Sequence, residues 1–575
     1  MTSGFLLFTL LTINTYLAVV AFVPTVIRNA SYRQKKADEF TIHSDGVGMA
    51  GATFNKHILG DVLRALQPRY LAQVKESISG NLKSPATLDL DPLLIYIDSI
   101  SDNALPSWED LEKLLKSQQI PVEKSFRDRL KMGSEHSALA KIRKFSPSDN
   151  IFATFYKDAA SWCPYCQKVW IALEEKQISY KVVVVDMNCY AGSSKPSDFL
   201  KVQPSGSLPC VVFNDGTKEF AIGESNDILA AIDEMKPTPK GNYLIPKENS
   251  EEMDYMKFLC DDGRKSLERR LFSEWMLYLT GKRKPVEYKE RYEAMLYEVD
   301  SVLAKSPGNF FMGKDISMAD IKFIPFIERQ AATLLYFKGF QLRNESKWPN
   351  IVKWLREMEK RPSYGATKSD VYTHSRALPP QIGGECTFSP DNEFITTKNS
   401  VDAYCLPTSV KPDFEDLSWR EPGWETEGKL HRREAAERIL HNRENILKFA
   451  SRAAGKPGFP VAAATLADPM ALGNDSARVA IDVFLRYTIH GLLQTGIRNK
   501  IGTSEDSLNE AAKALVKGGD GTALAIVDCL DYLRQRVGVP RDMSYPAAQQ
   551  LRAELLHIST TIESESKALE SSQVR

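Results

Sequence analysis

The sequence predicts an α/β domain followed by an all-α domain, with an additional all-α domain at the C-terminal end. Residues 149–236 alternate between short apolar or β-branched runs and helical patterns, which is typical of an α/β domain. Residues 245–365 lack strand signals, and helical periodicity returns beyond residue 425. The chain has 575 residues, more than the roughly 250–300 at which one hydrophobic core stops growing, so we expect several domains.

The amino-acid composition argues against two classes of protein, nucleic-acid-binding proteins and disulfide-built scaffolds. The chain has 74 basic and 74 acidic residues, so bulk charge does not favour a nucleic-acid partner. Its eight cysteines are far too few for a disulfide-built scaffold of this length. We therefore expect buried or reactive thiols in a reducing compartment.

Residues 1–21 have the pattern of a signal peptide. Positions 5–21 are apolar and uncharged and end in small residues. The run is short for a membrane span and Asn14 interrupts it, so we expect no stable span in the mature protein.

Residues 22–40 resemble a transit peptide. They are basic, with no acidic residue before Asp38. The Ala21-Phe22-Val23-Pro24 junction resembles the bipartite plastid address of algae with secondary red plastids. This favours the plastid (chloroplast) stroma, with an ordinary secretory signal or signal anchor as the alternative.

Residues 41–148 form an N-terminal extension without visible chemistry. Residues 57–78 have helical periodicity, and residues 93–97 have the composition of a strand. Ser107 and Asp110 have the spacing of a helix cap before a short helix that runs through Leu115. The sequence predicts a small helical module that packs against the next part of the chain.

The α/β domain at 149–236 has an element order that can be assigned segment by segment. The unbroken run Val182–Val185 is typical of a strand buried on both faces, and Asn214-Asp215-Gly216 supplies a hairpin turn. The predicted elements are strand 151–156, helix 164–177, strand 180–185, helix 196–202, strands 209–213 and 219–222, and helix 225–235. This is the order of a thioredoxin-like domain.

The rest of the chain is predicted to be helical apart from one linker. Ser317 to Asp320 resembles a capping box in which Asp replaces the usual Glu. The linker, 366–410, contains Pro379-Pro380 and Gly383-Gly384. The predicted helices are 249–260, 265–280, 287–304, 317–338 and 348–360, and, within the C-terminal domain at 411–575, segments such as 430–451, 476–493, 523–537 and 545–562.

The strongest chemical signal is Trp162-Cys163-Pro164-Tyr165-Cys166. Cys163 precedes a helix with proline at its first position, so the unpaired N–H groups and the helix dipole stabilise a thiolate there. Cys166 lies one turn further on and can resolve a mixed disulfide. Zinc is the main rival for a Cys-x-x-Cys, but no second such motif or His pair has ligand spacing, so we expect no metal.

Three further features point to glutathione. The dipeptide Leu208-Pro209 precedes the third strand, where thioredoxin-like folds place a cis proline beside the cysteine. Glu224-Ser225 begins a helix whose free N–H groups and serine hydroxyl form an anion site. Lys195 can pair with a second carboxylate. Two carboxylates and an amine around a thiol describe glutathione, the expected co-substrate.

Taken together, the chain resembles the cysteine-type glutathione transferases over residues 105–386. The glutaredoxin-like Cys-Pro-Tyr-Cys motif, the helical half with its Ser317–Asp320 cap, and the segments SWEDLEKLL and THSRALPPQIGGEC look most like the Iota class of photosynthetic organisms. The resemblance implies these roles: Cys163 forms the mixed disulfide, Leu208 holds the glutathione backbone beside cis-Pro209, Glu224 and Ser225 hold the γ-glutamyl end, and Lys195 holds the glycine carboxylate. The chain departs from many such enzymes at Cys166, where they have Ala, Ser or Val, so a two-thiol route stays open.

A cysteine at the catalytic position implies thiol transfer by a glutathione-dependent transferase or reductase, by deglutathionylation or a dehydroascorbate-type reduction. One alternative is a protein that binds glutathione or a hydrophobic ligand, or a plastid scaffold, with little turnover. Another is an inert Cys163–Cys166 disulfide.

The second substrate is not named by the sequence. A small hydrophobic or disulfide substrate fits an aromatic lining, and the same aromatics could equally be core. The residues in question are Phe258, Trp275, Tyr278 and Tyr336. The other cysteines are expected to be packing residues, with a Cys386–Cys405 pairing open. The oligomeric state is also open.

Overall fold

A computed structural model describes most of the chain beyond residue 104. The described residues are 105–159, 163–185, 195–214, 216–382, 386–389, 428–456, 471–494, 503–518 and 520–573. The predicted presequence (1–40), the predicted segments at 57–78 and 93–97, and most of the predicted linker lie outside them. So do Trp162, Asp215, Cys189 and Cys405.

The α/β domain contains a five-stranded mixed sheet in the order β1-β3-β2-β4-β5. Strands β2 and β3 are parallel because helix α3 crosses between them, and the other pairs are antiparallel. The strands are β1 (Ile142–Arg143), β2 (Ala153–Asp158), β3 (Tyr180–Val185), β4 (Cys210–Asn214) and β5 (Glu219–Ile222). The helices are α3 (Pro164–Glu175), α4 (Ser197–Val202) and α5 (Ser225–Met235). The predicted element order is confirmed; β1 is an additional edge strand.

The second domain is all-helical, as predicted. The Ser317–Asp320 capping box is present, and the buried Asp320 carboxylate also accepts hydrogen bonds from the Phe311 amide at 3.0 Å and the Trp354 indole at 2.8 Å. This one carboxylate thereby fixes the start of the central helix. The helices are α6 (Glu251–Met256, continued by a π-helical turn, Lys257–Asp261), α7 (Leu267–Thr280), α8 (Pro285–Lys305), α9 (Met318–Lys338), α10 (Pro349–Glu359) and α11 (Pro362–Gly365).

The predicted linker at 366–410 begins with a helix, α12 (Val371–Gln381). The Asp370 side chain caps it by accepting from the Thr373 amide at 3.0 Å. The buried His374 on this helix bonds Glu328 of α9 at 2.7 Å. Pro379 lies in the last turn of α12. The proline pair therefore marks the end of a helix at this point, and the prediction of a linker there was wrong.

The C-terminal helices and the N-terminal extension share one hydrophobic core. The extension forms α1 (Trp108–Gln118) and α2 (Pro121–Met132); the C-terminal helices are α13 (Gly428–Ala450), α14 (Asp475–Leu493), α15 (Thr503–Lys517), α16 (Asp520–Arg534) and α17 (Tyr545–Gln573). Leu111 and Leu115 of α1 pack in the same cluster as α13 to α17. The indole of Trp108 donates to Asp482 of α14 at 2.8 Å. The extension was predicted to pack against the next part of the chain; α2 does contact β1, but α1 packs on the far end of the chain.

The shared core also reaches the helices of the second domain. Leu335 of α9 and Tyr372 of α12 belong to it, and the fully buried Arg552 of α17 pairs with Asp370 at 2.5 Å. The C-terminal helices therefore pack directly on the second domain. Among the described residues, no helix has both the length and the apolar character to cross a membrane.

Candidate functional site

Cys163 lies at the N-terminus of α3. It is the N-cap residue, Pro164 occupies the first helical position, and the Cys166 amide donates to the Cys163 sulfur at 3.4 Å. The side chain is 5% exposed. The Cys163 sulfur thus lies at the N-terminal end of α3, where the first backbone N–H groups have no partner within the helix.

Cys166 has a different environment from Cys163. It is 3% exposed, and its sulfur accepts from the amide of Asp158 at the end of β2, at 3.4 Å. Burial, together with the adjacent Cys163 sulfur, raises the pKa of the Cys166 thiol well above its ordinary value. Cys166 is therefore a protonated thiol at neutral pH, and both cysteines are free in the structure.

The Leu208–Pro209 peptide bond is cis, which confirms the sequence prediction. Pro209 directly precedes β4, whose first residue, Cys210, pairs with Tyr156 near the carboxyl end of β2. The Cys166 sulfur bonds the last residue of the same strand. The cis proline and the two cysteines thus lie at the same end of the sheet, where β2 ends and β4 begins.

Lys195 lies just before α4, on the same side as the proline loop. It is 7% exposed, and its Cγ comes within 3.4 Å of where a side chain at Gly206 would begin. Its aliphatic stem therefore packs against the turn that leads into Leu208, a half-buried residue in contact with the buried Phe199 and Cys210.

Glu224 and Ser225 begin α5 as predicted, with Glu224 as N-cap and Ser225 as the first helical residue. Glu224 is exposed and its side chain does not cap the helix. The free N–H groups of this helix start and the Ser225 hydroxyl remain suited to an anion.

Gln203 connects the two loops, a feature that the sequence pattern did not predict. Its amide nitrogen donates to the Ser207 hydroxyl at 2.9 Å, next to Leu208. The same nitrogen lies 1.7 Å from where a Cβ on Gly223 would be, so only glycine leaves room for it. The Gly223-Glu224 dipeptide before a helix was the available signal.

The structure offers a different aromatic pair from the residues that the sequence singled out. Trp275 and Tyr278 are buried core residues, Phe258 is 40% exposed, and Tyr336 is half-buried against the C-terminal core. Instead, Tyr165 of the motif packs edge-on against Phe326 at 5.7 Å. This pair is a better candidate for the wall of an acceptor site.

The Tyr165–Phe326 pair has a positively charged side chain, Arg269, beside it. The Arg269 guanidinium lies 4.6 Å from the Phe326 ring centre and 4.7 Å from that of Phe272. Arg269 also pairs with Glu268. The surface formed by Tyr165, Phe326 and Phe272 is therefore aromatic with a charged rim.

A buried polar network lies beneath the site. Gln167, the residue after Cys166, donates to Glu328 at 3.0 Å and accepts from Arg329 at 2.7 Å. Arg329 lies within electrostatic range of both Cys163 and Cys166. Glu328 continues to His374 of α12, so the cysteine helix is joined to the helix on which the C-terminal helices pack.

Within the described part of the chain, no group of three or more His, Cys, Asp or Glu side chains is placed to hold a metal ion.

Comparison with known proteins gives matches to both domains. Residues 162–235 match the glutathione S-transferase N-terminal domain and residues 268–357 the glutathione S-transferase C-terminal domain. The chain is 28% identical over 219 residues to the probable cytosolic glutathione S-transferase DHAR1 of Oryza sativa subsp. japonica, covering 38% of this chain and 89% of the relative. It is 25% identical over 225 residues to the chloroplastic glutathione S-transferase DHAR3 of Arabidopsis thaliana, covering 39% and 75%.

A solved structure with a similar fold is the dehydroascorbate reductase of Chlamydomonas reinhardtii. It has 20% sequence identity and a TM-score of 0.32, and the match covers 40% of this chain and 99% of that one. The two domain matches follow the α/β and helical domains in order. This part of the chain is therefore similar, domain by domain, to the N- and C-terminal domains of glutathione S-transferases.

Proposed function

We propose that the protein is a glutathione-dependent thiol transferase or reductase of the cysteine type, acting through a mixed disulfide between glutathione and Cys163. The observation that carries this proposal is the position of the Cys163 sulfur at the start of α3, at the end of the sheet that also holds cis-Pro209. A cysteine forms a disulfide with glutathione, whereas a serine or tyrosine would only stabilise its thiolate. The similarity to glutathione S-transferases named DHAR supports the glutathione-dependent class.

The reaction has two exchange steps. The Cys163 thiolate attacks the glutathione sulfur of a mixed disulfide R–S–S–G; a new S–S bond forms between Cys163 and glutathione, the original S–S bond of R–S–S–G breaks, and the released R–S⁻ takes a proton. A second glutathione thiolate then attacks the glutathione sulfur on Cys163, which releases glutathione disulfide and restores the Cys163 thiolate. Glutathione supplies both electrons, so no other reductant is needed.

Glutathione would be held by the residues that the resemblance assigns. Lys195 faces the glycine end, cis-Pro209 and Leu208 pair with the cysteinyl backbone, and the start of α5 takes the γ-glutamyl end. The closeness of Lys195 to the loop before Leu208 and the Gln203 bridge between the loops support this arrangement. The bridge keeps the two halves of the glutathione site at a fixed separation.

One-thiol chemistry fits the burial of Cys166 best. Only a thiolate attacks a disulfide efficiently, and the raised pKa of Cys166 keeps it protonated. We therefore propose that the second glutathione, and not Cys166, resolves the mixed disulfide.

Intact-mass analysis after treatment with glutathione disulfide tests both proposals. Wild type and Cys166→Ser should each gain one glutathione, and Cys163→Ser should gain none and lose turnover of a glutathione mixed disulfide. Cys166→Ser should keep turnover within a few-fold of wild type.

Full turnover by Cys163→Ser would overturn the mechanism. A Cys163–Cys166 disulfide in wild type, with no bound glutathione, would overturn the one-thiol route. Tight ligand binding with no turnover in wild type would favour the binding-protein alternative.

We also propose that the protein is an Iota-class enzyme of the plastid stroma. The composition of residues 1–40 supports the location, and some of the similar glutathione S-transferases are named as chloroplastic. A fluorescent protein fused behind residues 1–40 should enter the plastid of a diatom-type alga, and Phe22→Ala should divert it. Secretion of both fusions would contradict the location.

A further inference from the structure

Lys168 is a buried cation at the γ-glutamyl end of the candidate site. It lies on α3 between the cysteines and the helical domain and is 5% exposed. Its amine donates to the Asn226 side-chain oxygen at 2.8 Å. Asn226 follows Ser225 in the first turn of α5, so the amine lies at the N-terminus of that helix.

The other cations around Lys168 already have carboxylate partners. Lys322 of α9 pairs with Asp261, and Arg269 of α7 pairs with Glu268. Lys168 bonds a neutral amide, and among the described residues no carboxylate lies within ion-pairing distance of its amine. Glu268 also attracts Lys168 electrostatically, but of these three cations only Lys168 has no carboxylate in direct contact among the described residues.

The burial of this charge is unfavourable without a counter-ion. Burial, and then the charge of Lys322, lowers the pKa of Lys168 to about 8. The nearby Cys260 does not supply a negative charge, because burial raises the pKa of its thiol. The Tyr165 ring, 5.4 Å from the amine, offers only a weak cation–π contact. A carboxylate arriving at the start of α5 would supply the missing charge.

We propose that Lys168 binds the α-carboxylate of the γ-glutamyl residue of glutathione, beside the Ser225 helix start. This rests on the glutathione-dependent function proposed above. The glycine carboxylate is a poorer candidate because its proposed partner, Lys195, lies at the other end of the site, before α4 and against the loop leading to Leu208. No residue role assigned above includes Lys168.

Binding measurements with three tripeptides test the proposal. Calorimetry would use Cys163→Ser protein, which removes disulfide exchange, with and without Lys168→Met. The peptides are reduced glutathione, glutaryl-Cys-Gly, which keeps the carboxylate but lacks the α-amine, and 4-aminobutyryl-Cys-Gly, which keeps the amine but lacks the carboxylate. Lys168→Met should weaken binding of the first two about 10-fold, equivalent to about 1.4 kcal/mol, and change the third less than 2-fold.

Two further variants separate a charge effect from a folding effect. Lys168→Arg keeps the charge and should restore most of the affinity, and Lys181→Met, at an exposed position of β3, should change nothing. An equal loss for all three peptides, or no loss for glutathione, would overturn the role of Lys168. If Cys163→Ser protein with Lys168 intact binds none of the peptides, the proposed function itself fails.

Discussion

Gly223 leaves room for the side chain of Gln203, which occupies the place that a Cβ at position 223 would take. That glutamine bonds Ser207 before the proline loop and lies against the residue before Glu224. The free energy of a typical hydrogen bond is about 1 kcal/mol, enough to hold the loops in register. The absence of a side chain at Gly223 therefore leaves room for the residue that connects the two loops of the proposed glutathione site.

Gly223→Ala should displace the Gln203 side chain and break its bond to Ser207. We expect the KM for glutathione to rise about 5-fold, in line with the loss of about 1 kcal/mol, with kcat nearly unchanged. In a Gln203→Ala background, Gly223→Ala should have little further effect, since the space is then empty. Gly365→Ala, where a Cβ meets nothing within 4 Å, is the matched control. Equal effects of Gly223→Ala in both backgrounds would rule out the bridge.

At the scale of elements, α9 connects the cysteine helix to α12 through Glu328. Burial raises the pKa of Glu328, but His374, Arg329 and the Ser369 amide outweigh it and the net pKa is about 2. Burial, followed by the charge of Arg329, lowers the pKa of His374, and its Nδ1 has no hydrogen-bond partner in the described part of the chain. The pair is therefore a carboxylate that accepts from a neutral imidazole.

The lowered pKa of His374 predicts a pH dependence of stability. Below about pH 6.5, the usual pKa of histidine, His374 binds a proton in the unfolded chain but stays neutral in the folded protein, where its pKa is lower. The free energy of unfolding should then fall with decreasing pH, by at most about 1.4 kcal/mol per unit. Glu328 adds its own loss only below its ordinary pKa of 4.5. Burial also lowers the pKa of His136, so both histidines contribute between pH 5 and 6.5, and a His374 variant separates their shares.

Denaturant unfolding at several pH values measures this effect. His374→Gln should have a shallower slope than wild type over that range, while His441→Gln, whose side chain is 63% exposed, should keep the wild-type slope. A wild-type slope in His374→Gln would show that His374 is protonated in the folded protein.

At the scale of the whole molecule, the C-terminal helices and the transferase domains are joined by a buried ion pair. Asp370 and Arg552 are 1% and 0% exposed at their side chains, and Arg552 also donates to the Val537 carbonyl at 2.8 Å. Tyr372, in the next turn, is fully buried and stacks under the Arg552 guanidinium at 4.2 Å. The C-terminal helices thus stabilise the helix that caps the second domain.

Arg552→Met should destabilise the protein by about 3–5 kcal/mol, because it leaves the buried Asp370 carboxylate without a counter-charge. Asp370→Asn combined with Arg552→Met should recover part of this loss, since no charge then remains unpaired. Chemical unfolding of the two single variants and the double variant measures the coupling. Additive effects would mean that the two side chains act independently.

The sequence predicted the α/β elements to within a few residues, because strand and helix signals there are local and the Cys-Pro-Tyr-Cys motif marks a helix start. It missed α12, since the capping by Asp370 and the bond from His374 to Glu328 depend on folding partners that the Pro379-Pro380 pair obscured. It also missed the packing of α1 on α14, which joins residues hundreds of positions apart. The contacts of Gln203 and the proposed role of Lys168 depend on segments that come together only in the folded chain.

The bond from Trp108 to Asp482 has a consequence for synthesis of the chain. The two residues are 374 positions apart, and ribosomes add about 5–20 residues per second. Roughly 20–75 s therefore separate the emergence of α1 from that of its partner. During this interval Leu111 and Leu115 have no native core to join, so chaperones that shield apolar nascent segments have a defined period in which to act.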